Sequence, residues 1–298
     1  GVDPLKLEAN LQQSTGTLRG IIETSVNFGV RYYNQLAHKN RSDFSHEVKD
    51  AMATCLACKA CSTQCPIKID IPEFRAKFYQ LYHARYPRPV RDYLIADIEH
   101  RLPLLAKQPQ MINKILSWPL TDWVLEKGFG LVNTPKLAVP TLQSLIQQHG
   151  IGQPTIAQLQ SLPSKQRANY VLIVQDAFTT YYQAPLVIDF IRLCEKLGYT
   201  AVLLPFVPSG KAQHIKGFLR RYQHSAERMT QHLQQAAKTE LPLIGIDPAV
   251  VLSLRDELQK ITRHSLNLPR VQQLQGRLLS VIRQRGAVQC DPEKRYYR

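Results

Sequence analysis

The sequence predicts a mixed fold: a helical N-terminal half built around a cysteine loop, then a small α/β domain with a parallel sheet. Three observations carry this. Apolar residues recur at helical spacing before residue 150, where prolines divide the chain into short helices. Four cysteines crowd into residues 55–65. From Tyr170 the period changes to short apolar runs alternating with amphipathic stretches, the pattern of a parallel sheet with helical crossovers.

Residues 3–38 read as helical, with Leu18, Ile21, Phe28, Tyr32 and Leu36 on one apolar stripe. Asp43 is placed to cap a short helix over 44–53. That helix runs into Cys55-Leu-Ala-Cys58-Lys-Ala-Cys61-Ser-Thr-Gln-Cys65-Pro66. The spacing C-x2-C-x2-C-x3-C-P is that of a bacterial 4Fe-4S cluster loop. A cysteine every third residue wraps soft thiolates around one face of the cluster, and the proline turns the chain away. In two-cluster ferredoxins the fourth cysteine ligates the other cluster. Cys55, Cys58 and Cys61 would then hold one cluster and Cys65 part of a second. The other arrangement closes a single cluster with all four cysteines.

Beyond the loop, Asp70 and Glu73 resemble a capping box with Pro72 in the first turn, opening a helix to near Tyr86. Phe74, Phe78 and Leu81 are expected to form its buried stripe. A cysteine loop between two helices makes residues 1–100 a helical-ferredoxin-like domain. Residues 101–164 form a proline-rich helical connector, with short helices expected near 89–100, 110–117 and 120–127. Trp118 and Trp123 are expected to fill core between them; an interfacial patch is the alternative.

Residues 165–298 are expected to form the α/β domain. Tyr170–Val174, Thr200–Leu204 and Leu243–Ile246 read as buried parallel strands. Ala184–Leu197 reads as a helix ended by Gly198, Lys211–Lys238 as one long helix, and 249–261 as a helix opened by Asp247-Pro248. A last helix is expected near 270–285. Loops after strands are where open α/β sheets take ligands. Here they are Gln175–Thr179, Pro205–Lys211 and Asp247-Pro248. Ser209-Gly210-Lys211 could offer amides and an ammonium to an anion. Cys194 sits on an apolar helix face and reads as an inert thiol; Cys290 lies near the end of the chain.

The composition bounds the partners. Net charge is +15, from 38 Lys and Arg against 23 Asp and Glu. The basic residues are spread rather than blocked, which argues against nucleic acid and for a solvated basic surface; an acidic partner or an anionic membrane is the minority reading. No apolar run approaches the ~18 residues of a membrane span. Six cysteines without a secretory segment place the chain in a reducing cytoplasm, with a peripheral position at the inner membrane as the alternative. The start Gly1-Val2-Asp3-Pro4, without methionine, suggests part of a larger protein or a processed end.

The run Cys55–Pro66, continued by Ile67-Lys-Ile-Asp70-Ile-Pro72, resembles the iron–sulfur C-terminal region of large bacterial FAD-linked dehydrogenases. The nearest are those acting on D-2-hydroxy acids, D-2-hydroxyglutarate in particular. More distant are the iron–sulfur subunits of glycolate oxidase and anaerobic glycerol-3-phosphate dehydrogenase. The resemblance implies an electron-transfer role, with a flavin domain carrying FAD upstream on the same polypeptide. It implies a quinone or other acceptor as partner, and no turnover from this chain alone. It also implies that 170–261 is a degenerate Cys-Cys-Gly repeat: Pro208-Ser209-Gly210 keeps only the glycine, and Asp247-Pro248-Ala249 stands where a cysteine is expected. The competing reading is a zinc-binding interaction module whose four cysteines hold zinc and whose basic surface binds RNA, DNA or protein.

Overall fold

A computed structural model describes residues 28–36, 43–55, 57, 58, 61, 66, 67, 69–261 and 271–273. It is mostly helical, with a small parallel sheet, and falls into two compact units. One holds the chain through Leu105, Met111–Pro135 and Gly210–Ser225; the other holds Ala106–Gln110, Lys136–Ser209 and the chain from Ala226.

In the first unit residues 28–36 are helical, and the Asn34 side chain donates to the Arg85 carbonyl at 3.2 Å. Helix α1 spans Phe44–Ala53; Asp43 caps it by accepting from the Ser45 amide at 2.9 Å. Helix α2 spans Ile71–Arg85, with Asp70 accepting from the Glu73 amide at 3.2 Å. Its buried face is Pro72, Arg75, Ala76, Tyr79, Tyr82 and His83. The expected stripe is therefore displaced: Phe74 and Leu81 are each 53% exposed. Tyrosines and a histidine displace the purely apolar residues because they find partners there. His46 Nδ1 and the Tyr82 hydroxyl share a hydrogen bond at 2.8 Å, and the Tyr86 hydroxyl donates to Asp43. Helix α3, Val90–Leu105, continues through Pro103. Helices α4 (Pro109–Leu116) and α5 (Pro119–Trp123) follow, the latter running into a π turn, Val124–Gly128. Trp118 and Trp123 are 60% and 61% exposed, so they do not fill core.

The second unit begins with α6 (Leu142–Gln148), α7 (Ile156–Ser161) and α8 (Ser164–Arg167). Strand β1, Tyr170–Val174, then enters the sheet, followed by α9 (Ala177–Tyr181), α10 (Ala184–Lys196) and β2 (Thr200–Leu203). The chain then returns to the first unit with α11 (Lys211–Ile215) and the start of α12 (Leu219–Ala237), and the rest of α12, β3 (Leu243–Gly245) and α13 (Pro248–Ile261) belong to the second. A two-residue strand β4, Gln272–Gln273, stands where a helix was expected to begin. The order is β2-β1-β3-β4, all parallel, with Leu172 opposite Val202 and Leu243. Val171, Ile173, Val187, Ile188, Ile191 and Ile244 form the core between sheet and helix. Helix α10 ends as its sequence indicates: Gly198 takes φ +77°, and its amide donates to Glu195 at 2.8 Å.

The expected single helix Lys211–Lys238 is broken at Gly217. Gly217 has φ +70°, and a Cβ there would lie 2.7 Å from the Tyr79 Cβ and 2.9 Å from the Ala76 carbonyl oxygen and the Gln80 amide nitrogen. This backbone sits directly on α2, closer than any other residue permits. Arg88 then donates to the Lys216 and Gly217 carbonyls, groups that a continuous helix would have used internally. Gly217→Ala is expected to lower stability by about 2 kcal/mol or more, from a left-handed φ plus a clash against backbone. Urea unfolding of the variant, read by circular dichroism, checks this; an unchanged midpoint contradicts the close approach.

Candidate functional site: the cysteine loop and its floor

Helix α1 hands directly into the loop. The Cys55 amide donates to the Met52 carbonyl at 3.2 Å, and the Thr54 hydroxyl donates to the Ala51 carbonyl at 2.9 Å. Ala57 then takes a left-handed φ of +54°, which turns its amide back onto the Cys55 Sγ at 3.4 Å. A backbone N–H donated to sulfur is one of the contacts that tune an iron–sulfur cluster's potential when such a cysteine is a ligand. Cys58 is exposed; Cys55 and Cys61 are half-buried; all three are free thiols. Cys65 and Cys290 lie outside the described residues, as do the parts of the expected helices before residue 28 and after 273. Among the described residues no group of three His, Cys, Asp or Glu side chains is gathered closely enough to hold a metal ion. The chemistry of the thiol set, three soft donors at ferredoxin spacing without a disulfide among them, nonetheless fits an iron–sulfur cluster.

The loop is fixed from α2 by Arg75, a residue the cysteine spacing did not single out. Its Nη1 donates to the Cys55 carbonyl at 2.6 Å, and its guanidinium lies 5.0 Å from the centre of the Tyr79 ring. The side chain is buried. A buried arginine costs desolvation unless its donors are used. Here a carbonyl and an aromatic face offset part of the cost, Nε being left without a partner, and the result is a cation held beside a loop of thiols. The only sequence signal for it was a basic residue in the first turns of the helix that follows the motif.

Glu73, two residues earlier on α2, accepts from His214 Nε2 at 3.2 Å and pairs with Lys77 at 3.0 Å. The His214 hydrogen bond is the main cause that holds its carboxyl down at about 2. So the helix that grips the cysteine loop is itself gripped by the returning segment Gly210–Gly217. That segment is clamped at two further points. The Glu99 carboxylate accepts from the Gly210 amide at 2.9 Å and the Ala212 amide at 3.3 Å, and Lys216 Nζ meets Asp92 at 2.7 Å. The turn at Ser209-Gly210-Lys211, which the sequence offered to an external anion, thus gives its Gly210 amide to the chain's own carboxylate.

The loops after the strands are similarly occupied. Asp176 is buried, caps α9 through the Phe178 and Thr179 amides at 2.9 and 2.8 Å, and has its pKa raised by burial. Gln175 donates to the Leu204 carbonyl at 2.7 Å and accepts from Thr180. Asp247 accepts from the Ala249 amide at 2.8 Å. Cys194 is buried, and burial first and Glu195 second push its thiol up to about 11, so it is an inert thiol as its helix face suggested.

This geometry can be set beside known proteins. A D-2-hydroxyglutarate dehydrogenase of Escherichia coli (strain K12) is 52% identical over 257 residues, matching 86% of this chain and 25% of that protein. One from Pantoea ananatis is 50% identical over 261 residues, matching 88% and 25%. The chain is homologous to a segment of the D-2-hydroxyglutarate dehydrogenases. A third such dehydrogenase, from Haemophilus influenzae, is 48% identical over 219 residues, matching 73% of this chain and 21% of that protein. The chain spans about a quarter of the length of these D-2-hydroxyglutarate dehydrogenases. No protein-family profile matches it, and no solved structure matches it.

The helical floor under the loop carries a pH limit of its own. His83 on α2 is 5% exposed, and its pKa is held down at about 4, by burial first and by the Arg88 guanidinium second, with Asp92 opposing. Unfolded, it titrates near 6.5. As pH falls the unfolded state takes the proton first, so stability present above pH 6.5 is lost between 6.5 and 4. The expected loss is on the order of 3 kcal/mol. Urea midpoints measured across that range should fall steeply for the native sequence and less steeply for His83→Gln; equal slopes contradict the buried neutral ring.

Proposed function

We propose that this chain is the electron-transfer portion of an FAD-dependent 2-hydroxy-acid dehydrogenase, of which it forms one part of a longer polypeptide. The observation that carries the reading is the loop of free thiols at ferredoxin spacing, pinned through Cys55 by a buried arginine, in a chain half identical to D-2-hydroxyglutarate dehydrogenases. Cys55, Cys58, Cys61 and Cys65 are the proposed ligands of 4Fe-4S iron, within a helical-ferredoxin-like unit. A cluster bound there supplies one-electron redox capacity between a two-electron flavin reaction and an acceptor such as a quinone. The chain's own residues do the positioning. The Ala57 amide donates to ligand sulfur, and Arg75, packed on the Tyr79 ring, fixes the Cys55 carbonyl and adds positive charge beside the thiolates. Net charge and hydrogen bonds at sulfur are the terms that set a cluster's potential.

The partners follow from the same surfaces. Phe44, Ile67, Phe74 and Leu81 stand exposed on the elements that flank the cysteine loop, apolar area that an upstream flavin domain of the same polypeptide would cover. Among the described residues no helix is long and apolar enough to cross a membrane. Exposed Trp118, Leu120 and Trp123 support a peripheral membrane contact near a lipid-soluble acceptor. The degenerate Cys-Cys-Gly repeat is proposed as a scaffold, because its loop polar groups are spent on caps.

The test uses the complete polypeptide with D-2-hydroxyglutarate. Cys58→Ser and Cys61→Ser are expected to slow reduction of an added quinone analogue at least ten-fold, while substrate-dependent flavin reduction in the absence of acceptor stays within about two-fold. Unchanged acceptor reduction in both variants overturns the assignment.

A further inference from the structure

A cavity of about 210 Å³ opens on the helical unit among Arg31, Gln80, His83, Arg88, Tyr93 and Gly217–Arg221. Among the described residues that line it, four are arginines (Arg31, Arg88, Arg220 and Arg221) and none is acidic. Asp97 reaches Arg221 from outside the lining at 2.9 Å. The guanidinium of Arg88 donates to the Lys216 and Gly217 carbonyls and lies 3.9 Å from the centre of the Phe218 ring. Its charge is therefore fixed in position at the cavity wall.

A second feature points the same way. Leu219, Arg220 and Arg221 are the first turn of α12, a helix of 19 residues, so the positive end of its dipole also faces this wall.

We propose that this cavity is a phosphate-binding site, taking a small phosphorylated compound or the phosphate of an anionic lipid headgroup. Several arginines around one small space match a dianion better than a single carboxylate, because the planar fork of each guanidinium can bridge two phosphate oxygens. Tyr93 and Phe218, 5.1 Å apart between ring centres, add an apolar wall for whatever carries the phosphate. The ligand would join α2, α3 and the start of α12, and so tighten the unit that carries the cysteines. The site uses none of the thiols, so it stands or falls separately from the electron-transfer reading.

The test is calorimetric titration of the complete polypeptide with inorganic phosphate and with pyrophosphate, at constant ionic strength maintained with chloride. Saturable binding is expected, tighter for pyrophosphate, and accompanied by a rise in melting temperature. Arg31→Gln combined with Arg220→Gln should weaken it at least ten-fold, and so should Gln80→Glu, which adds a negative charge to the wall while leaving every arginine in place. Co-sedimentation with vesicles of phosphatidic acid, set against phosphatidylcholine alone, separates the sources. Pyrophosphate-sensitive sedimentation supports a headgroup, and binding in solution without sedimentation supports a free phosphate compound. Absence of saturable heat, or equal affinity in folded variants, overturns the proposal.

Discussion

The helical unit depends on buried charge that must be paired. Glu99, 4% exposed, is a carboxylate that would be strongly destabilising without its partners, and those partners are the backbone amides of Gly210 and Ala212. The same segment delivers His214 to Glu73 and Lys216 to Asp92. Because Gly217 leaves no room between this segment and α2, the ion pairs and the steric contact fix one register together. Glu73 and Arg75 sit on the same helix, one held by His214 and the other holding Cys55. Pairing far along the chain therefore reaches the cysteine loop through a single rigid element.

Features that depend only on neighbours along the chain were legible in the sequence. The three strands fall where apolar runs of β-branched and aliphatic residues stand, and the caps at Asp43, Asp70 and Asp247 all accept the amides that an N-cap aspartate accepts. The thiol spacing was equally local. What could not be read was any choice settled by a distant partner. The buried face of α2 is polar and aromatic because the Cys55 carbonyl meets Arg75 there and His46 meets Tyr82, so an apolar stripe drawn through Phe74, Phe78 and Leu81 chose the wrong side. The break at Gly217 follows from contact with α2, and a pattern of helical period carries straight through it. Trp118 and Trp123 are expected to pack between short helices, but a local pattern of short helices does not say which faces meet, and both rings stand exposed.

The two units divide the chemistry unequally. In the sheet unit the side chains at the strand ends are committed: Asp176 to its cap, Gln175 to Leu204 and Thr180, Asp247 to Ala249. In the helical unit three described cysteines are free thiols, and four arginines line a cavity. That asymmetry is why the functional reading rests on the helical unit and on its relation to D-2-hydroxyglutarate dehydrogenases.

Iron and acid-labile sulfide per polypeptide, in protein prepared without oxygen, test the central claim most directly. The account predicts both in equal amounts, at no less than one 4Fe-4S cluster per chain, with marked loss when Cys55, Cys58 and Cys61 are replaced by serine. Stoichiometric zinc with no iron, or an iron content indifferent to those replacements, would contradict it.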